Sequence, residues 1–355
     1  VIYITHDLAL VSEIADSVIV MYKGEIVEAN TTAGIFDHPQ HPYTRALIHC
    51  RPSSASRGRR LPVIGDYLGA STRPADGPDP AAMAPRPATG AEILRVQDLH
   101  VTFPVKTSIT GKVLREFRAV DGVSFSIRQG EVVGLVGESG CGKTTLGRAL
   151  LGLVRPTSGS IFLDQVDIAG IAPARLRALR KDIQIIFQDP YGSLNPRLTI
   201  GEAISEPMKV HHIAPTRKDR KEQIMQLLEK VDLKPEHFYR YPHEFSGGQR
   251  QRICIARALS LHPGFIICDE SVSALDVSVQ AQVLNLLNDL RRELGFTCIF
   301  ISHDLGVVHY ISDRIMVMQA GRIVEEGSAD ELYYHPRHPY TRKLIAAMPK
   351  ITISS

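Results

Sequence analysis

Nearly unbroken apolar runs alternate along this chain with stretches in which apolar residues recur at helical spacing. Val132-Val133-Gly134-Leu135-Val136, Ile183-Gln184-Ile185-Ile186-Phe187, Phe265-Ile266-Ile267-Cys268 and Cys298-Ile299-Phe300-Ile301 have the length and β-branched content of buried strands. Between them, four sets of residues each fall on one face of a helix: Leu146, Ala149, Leu150 and Leu153; Ile224, Leu227, Leu228 and Val231; Ile253, Ala256 and Leu259; and Val279, Val283, Leu286, Leu287, Leu290 and Leu294. Strand and helix alternating in this way predict an α/β core. Upstream, Ile93–Val96, Val101–Phe103 and the period-two stretch Val123–Ile127 predict further strands, with Asp121-Gly122 and Gln129-Gly130 as turns. The segment from Pro104 to Phe117 is long for a hairpin and is expected to be a surface insertion.

The chain contains an internal repeat. Val1-Ile2-Tyr3-Ile4-Thr5-His6-Asp7-Leu8 aligns without a gap onto Cys298–Leu305, 297 residues later, and the same offset carries His41-Pro42-Tyr43-Thr44-Arg45 onto His338-Pro339-Tyr340-Thr341-Arg342. Residues 1–50 are therefore expected to be the end of a first domain of the same kind. Residues 51–90 hold seven of the 22 prolines, with Ser, Gly, Ala and Arg, which is linker composition. A complete second domain is expected over 91–350.

Composition narrows the chemistry. At 355 residues and 44% hydrophobic content the chain can bury a core, and a net charge of only +3 argues against the broad basic field of a nucleic-acid binder. The five cysteines form no C-x-x-C pair and sit largely in apolar runs, as reduced core residues do. No apolar run approaches the ~18 residues of a membrane span, so any membrane role is expected to come through partners.

The segment Gly137-Glu138-Ser139-Gly140-Cys141-Gly142-Lys143-Thr144-Thr145 fits the phosphate-loop pattern and lies between a predicted strand and a predicted helix, the context that the pattern requires. Glycines let successive backbone N–H groups turn toward phosphate oxygens, and the helix adds roughly half a positive charge at its start. Lys143 would reach the β- and γ-phosphates, Thr144 would ligate Mg²⁺, and Thr145 would donate near the α-phosphate. Asp269-Glu270 is delivered at the carboxyl end of a predicted buried strand, where open α/β sheets place their chemistry. Ser246-Gly247-Gly248-Gln249 offers a second set of N–H donors at a helix start.

Taken in order, these elements resemble the ATP-binding cassette (ABC) ATPases over residues 92 to 350. The Walker A loop, Gln188, the Ser246–Gln249 signature, Walker B (Phe265–Asp269, then Glu270), Ser273-Ala274-Leu275-Asp276 and His303 follow one another as in that family. Phe187-Gln188-Asp189-Pro190, Ser193-Leu194-Asn195-Pro196 and the His-Pro-Tyr-Thr-Arg ending look like the ATPases of oligopeptide and dipeptide importers, and the repeat looks like their fused, two-cassette form. The resemblance implies a P-loop NTPase fold of ABC type: a mixed sheet core, an antiparallel β subdomain and a helical signature subdomain at about 190–262. It implies ATP and Mg²⁺ as ligands, with Thr144, Gln188 and Asp269 at the metal. Glu270 would be the general base, with His303, Gln188 and Lys143 completing the catalytic set. Ser246, Gly247, Gly248, Gln249 and Asp276 would serve nucleotide across an interface with a second cassette, from a homodimer or a paralogous subunit. Phe103, with Phe117 as alternative, would stack on adenine. Implied partners are two transmembrane permease subunits and, indirectly, an extracytoplasmic solute-binding protein, with no nucleic acid. The implied location is the cytoplasmic face of the membrane, as a peripheral subunit. Two other readings are a soluble ABC protein without a transporter and a partner cassette with mainly regulatory nucleotide binding.

Overall fold

A computed structural model describes residues 1–5, 8–52, 56–69, 90–107 and 113–348, so His6 and much of the stretch 51–90 lie outside the described residues. The repeat recurs in three dimensions. In its first copy, α1 (Leu8–Ile14) precedes an antiparallel pair, β1 (Ser17–Tyr22) and β2 (Glu25–Thr31), followed by α2 (Thr32–Asp37) and α3 (Pro42–His49). The pair shifts register between Val20 and Met21, and its second copy shifts between Val317 and Met318, the same place in the repeat. A short helix, α4 (Ile64–Tyr67), follows.

Next come β3 (Glu92–Thr107) and β4 (Val113–Arg128), which pair antiparallel along their whole length. This corrects two sequence expectations. Residues 104–107 and 113–117 are the outer part of this hairpin, not an unpaired insertion. Asp121-Gly122 is no turn: Gly122 takes φ +70° at a register shift inside β4. A bulge of this kind needs the same residues as a turn, and the distinction lies in what pairs beyond it.

The chain then enters β5 (Val132–Val136) and α5 (Lys143–Leu150), which buries Leu146, Ala149 and Leu150. Leu153 lies beyond the helix end and is exposed, against the periodicity. β6 (Ser158–Leu163) and β7 (Val166–Asp167) complete a four-stranded antiparallel sheet in the order β4-β3-β6-β7. After α6 (Pro173–Leu179) and β8 (Ile183–Ile186) comes a run of helices: α7 (Pro190–Ser193), α8 (Ile200–Val210), α9 (Arg217–Lys230) and α10 (Gly247–Leu259). Thr199 opens α8 with a capping box to Glu202, and Thr216 caps α9. The chain closes with β9 (Phe265–Asp269), α11 (Val277–Leu294), β10 (Thr297–Ile301), α12 (Leu305–Ile311), β11 (Arg314–Gln319), β12 (Arg322–Ser328), α13 (Ala329–Tyr334) and α14 (Pro339–Ala346).

The central sheet runs β12-β11-β5-β10-β9-β8, parallel except for β12. Both faces are covered, which is why its inner strands read as continuous apolar runs. Val133, Leu135, Ile267, Ile299 and Ile301 join one core cluster with the antiparallel sheet and α5; Val132, Val136, Ile266, Cys268 and Phe300 join the other, with the helices from α8 to α12. In the first copy, β1 has no such neighbour among the described residues. Ile19 and Met21 are about 60% exposed, whereas the equivalent Met316 and Met318 are fully buried beside β5.

Within the stretch read as linker, residues 56–69 lie against the second copy. The Asn285 side chain of α11 accepts from Leu61 N at 3.0 Å and donates to Leu61 O at 2.8 Å, and both residues are 1% exposed. Tyr310 of α12 donates to Arg59 O at 3.0 Å, Arg57 donates to His309 O, and Arg60 pairs with Asp289 at 2.8 Å. Ala46 and Cys50 enter the same core as α11. No helix among the described residues is long and apolar enough to cross a membrane.

Candidate nucleotide site

Three parallel strands end side by side and carry the site. β5 leads into the loop 137–142, β9 ends on Asp269 with Glu270 next, and β10 leads to His303. Neighbouring parallel strands bring these C-terminal ends together, which is where an open α/β sheet leaves a crevice.

The loop is held tightly from outside. Gly142 takes φ +113°, and a Cβ there would overlap the Ala119 carbonyl oxygen of β4. At Gly137 a Cβ would run into Met318 O of β11. The Gly321 amide, in the β11–β12 turn, donates to Cys141 O at 2.9 Å, and the Asp121 amide donates to Gly321 O at 2.9 Å. The loop is thus sewn to both sheets. Lys143 is 4% exposed, and its ammonium bonds Gly137 O at 2.8 Å and Glu138 O at 2.9 Å. A buried cation is stable only with such partners, and phosphate oxygens could replace these carbonyls. Cys141 lies 3.9 Å from Lys143 Nζ, yet burial pushes its thiol up, so it is no thiolate nucleophile at neutral pH.

Thr144 donates to Asp269 Oδ1 at 3.2 Å. Burial pushes the Asp269 carboxyl above its usual range; the Thr144 bond opposes this and the neighbouring Glu270 charge adds to it. A hydroxyl and a buried carboxylate are hard oxygen donors, which suits Mg²⁺ completed by water and phosphate oxygens. A nearby cation would also relieve the cost of ionising Asp269. Among the described residues no three His, Cys, Asp or Glu side chains converge to hold a metal unaided.

Glu270 takes φ +49°, an unusual conformation for a residue with a Cβ. Its amide donates to Ile301 O at 2.9 Å, and its carbonyl accepts from Ser273 N and Ser273 Oγ. The backbone turn aims its carboxylate at His303, whose Nδ1 lies 3.5 Å from Glu270 Oε2. Gln188 joins through Ser273, donating to Oγ at 3.3 Å. Structure therefore brings together Lys143, Thr144, Asp269, Glu270, His303 and Gln188.

The remaining candidates lie apart from that group. Ser246 opens α10 with a capping box to Gln249, and Gly248 packs so closely on Val279 that a Cβ would overlap it. No hydrogen bond or ion pair among the described residues joins 246–249 to the loop 137–145. Ser246, Gln249 and Asp276 are exposed, and Asp276 makes no capping bond although it begins α11. Phe103 and Phe117 prove to be direct cross-strand partners on β3 and β4, both exposed. The two alternatives for adenine stacking thus belong to one exposed aromatic pair.

Two contacts escaped the sequence reading. Ser273 is the bridge between Gln188 and Glu270, and Tyr340 Oη accepts from Glu138 N at 3.0 Å. Tyr340 carried a signal, since it lies in the longest matched stretch near the end of the repeat, but nothing in the sequence says what its hydroxyl meets.

Comparison with known proteins agrees with this geometry. The family described as ABC transporter matches residues 120–273, and the oligopeptide/dipeptide transporter C-terminal region matches twice, at 27–77 and 324–355. Glutathione import ATP-binding protein GsiA of Shigella flexneri is 52% identical over 354 residues, as is that of Escherichia coli K12. Those matches cover 98% of this chain, and the chain spans 56% of the length of either relative. Among solved structures, the post-hydrolysis dimer of the ATP-binding cassette MJ0796 bound to ADP and Pi aligns with TM-score 0.59 and 28% identity, over 66% of this chain and 98% of that one. The cbiO1 cassette of Clostridium perfringens, part of the ABC transporter complex cbiONQ, aligns with TM-score 0.59 and 26% identity, over 73% and 96%. The repeated C-terminal region, the mixed sheet with its antiparallel partner and the convergent loop 137–145 agree with these matches: the chain carries an ABC transporter domain on an ATP-binding-cassette fold, together with two copies of the oligopeptide/dipeptide-transporter C-terminal region.

Proposed function

We propose that this cassette binds and hydrolyses ATP with Mg²⁺ and thereby drives import of peptides or related small solutes. The observation that carries the reading is the convergence of Lys143, the Thr144–Asp269 pair and the Glu270–His303 pair at adjacent strand ends. In it, backbone N–H groups of residues 140–145 and Lys143 hold the phosphates, and Phe103 stacks on adenine. Thr144, Asp269 and Gln188 would hold Mg²⁺, which neutralises developing charge on the phosphates. Glu270 takes the proton of the attacking water, and His303 orients that water and the terminal phosphate.

The exposed Ser246 and Gln249, and an exposed Asp276 that makes no capping bond at the start of its helix, support completion of the site by a second cassette. Energy would pass to two transmembrane subunits, with this subunit peripheral at the cytoplasmic face and a solute-binding protein acting outside. Support for a peptide-like solute comes from the two matches to the oligopeptide/dipeptide-transporter region and from relatives named for glutathione import.

Replacing Glu270 with Gln keeps the shape and removes the base. Phosphate release at saturating ATP should fall by about 10²–10⁴-fold, with ATP affinity within about threefold of the parent. Undiminished release would remove Glu270 from that role. Lys143→Ala should instead abolish tight ATP binding, and normal affinity in that variant would overturn the phosphate-loop reading itself.

A further inference from the structure

The segment His338–Arg342 is built as a scaffold with one group projecting from it. The Glu325 carboxylate of β12 accepts from Arg337 N at 2.7 Å and from His338 N at 3.1 Å. His338 Nδ1 accepts from Tyr340 N at 3.2 Å, Pro339 occupies the first turn of α14, and Arg342 Nε ties back to Pro336 O at 3.0 Å. The first copy repeats every one of these bonds. Glu28 accepts from Gln40 N and His41 N, His41 Nδ1 accepts from Tyr43 N, and Arg45 Nε donates to Pro39 O. The scaffold therefore forms from its own residues, whatever its tyrosine touches. Tyr43 stacks on Tyr22 with ring centroids 4.2 Å apart, whereas position 319, the equivalent of 22, is Gln. In the second copy the ring is free to reach the phosphate loop.

Resting on the nucleotide-binding reading above, we propose that Tyr340 is a positioning residue for ATP: its hydroxyl holds the Glu138 peptide, and through it the entrance of the phosphate loop. Glu138 is gripped on both sides, its N–H by Tyr340 Oη at 3.0 Å and its carbonyl by Lys143 Nζ at 2.9 Å. When Lys143 turns to phosphate it gives up the carbonyl, which still accepts from Cys141 N at 3.3 Å within the loop, and the tyrosine bond is then what ties residue 138 to the rest of the cassette. Glu138 N lies at the start of the loop, ahead of the amides that ring the phosphates, so this bond does not compete with nucleotide. Tyr340 itself is 6% exposed, and burial pushes its phenol further above its ordinary value, so it stays a neutral hydroxyl. The oligopeptide/dipeptide C-terminal region thus acts on this cassette's own nucleotide loop.

The test is Tyr340→Phe in the full chain, which removes one oxygen and keeps the ring. ATP binding measured by equilibrium dialysis with magnesium should weaken about threefold to tenfold, the loss of one hydrogen bond. KM for ATP should rise in parallel while kcat stays put, and the melting temperature should fall by no more than about 4 °C, the effect of one hydrogen bond. Tyr43→Phe, the same change in the first copy, should leave ATP affinity untouched. Unchanged affinity in Tyr340→Phe overturns the inference, as does an equal loss in Tyr43→Phe, or a loss that merely follows a melting temperature lowered further than that. If Tyr340→Phe does not fold, amide exchange at Glu138 in the parent chain decides: slow exchange upholds the bond and free exchange removes it. Lys143→Ala separates the two readings. If it binds ATP normally, nucleotide binding here fails altogether; if it loses ATP while Tyr340→Phe does not, only the role of Tyr340 fails.

Discussion

Replacing Asn285 with Leu should release the segment around Leu61 from the cassette. The amide of Asn285 bonds both polar groups of the Leu61 backbone, at 3.0 and 2.8 Å, in a site where both residues are 1% exposed. Leucine is close in volume but offers neither donor nor acceptor, so a docked Leu61 would keep a buried N–H and C=O without partners. That costs about 1–3 kcal/mol for each group. Detachment is the alternative, and it forfeits about 2 kcal/mol for the Leu61 side chain, about 0.5–1.5 kcal/mol for each of the Tyr310–Arg59 and Arg57–His309 bonds, and little for the half-exposed Arg60–Asp289 pair. With two groups left unpaired, the bound segment loses at least ~2 kcal/mol of its advantage, and its detached population grows about 30-fold. Trypsin reads this directly, because Arg57, Arg59 and Arg60 lie in the segment and cleavage under native conditions follows the open population. Mass spectrometry should show cleavage after these three arginines accelerating by that order, with cleavage inside the cassette unchanged. An unchanged rate at all three bonds would refute the claim that Asn285 holds the segment.

Two further outcomes follow from the loop and from Asp269. Gly142→Ala should lower stability by about 2–3 kcal/mol and abolish tight ATP binding, because its Cβ meets the Ala119 carbonyl; Gly140→Ala, at φ +80° in open space, should cost only about 1 kcal/mol, and equal effects in thermal melts would contradict the packing argument. Burial raises the Asp269 carboxyl in the folded chain, so the folded state holds that proton more tightly than the unfolded one, and stability falls as pH climbs from the unfolded value of 3.8 through the folded one. Asp269→Asn should therefore melt above the parent at pH 8 while losing turnover, with the advantage vanishing near pH 3. A parent advantage at both pH values would oppose this.

Local signals were sufficient for the strands that carry the site. Continuous apolar runs marked β5, β8, β9 and β10 because strands covered on both faces need no polar alternation, and Gly137–Thr145 marked its loop because a backbone turning this tightly between a strand and a helix requires glycines. The 297-residue offset marked two copies of one unit, down to the register shifts at Val20 and Val317. What the sequence by itself determined was thus the order of elements, the repeat and the chemical groups available. Tertiary structure alone decided which of those groups meet. Composition marked 51–90 as linker, yet Leu61 is buried, since burial depends on an Asn285 placed 224 residues away. Asp121-Gly122 has the residues of a turn but sits inside β4, because β3 continues beside it. Leu153 keeps the helical spacing after the helix has ended. Glu270 reaches His303, and Tyr340 reaches Glu138, through strand order and a left-handed backbone turn, and neither is written in the spacing of residues along a chain. Patterning specifies what each segment can bury, whereas a hydrogen bond between distant residues depends on how the layers close over one another.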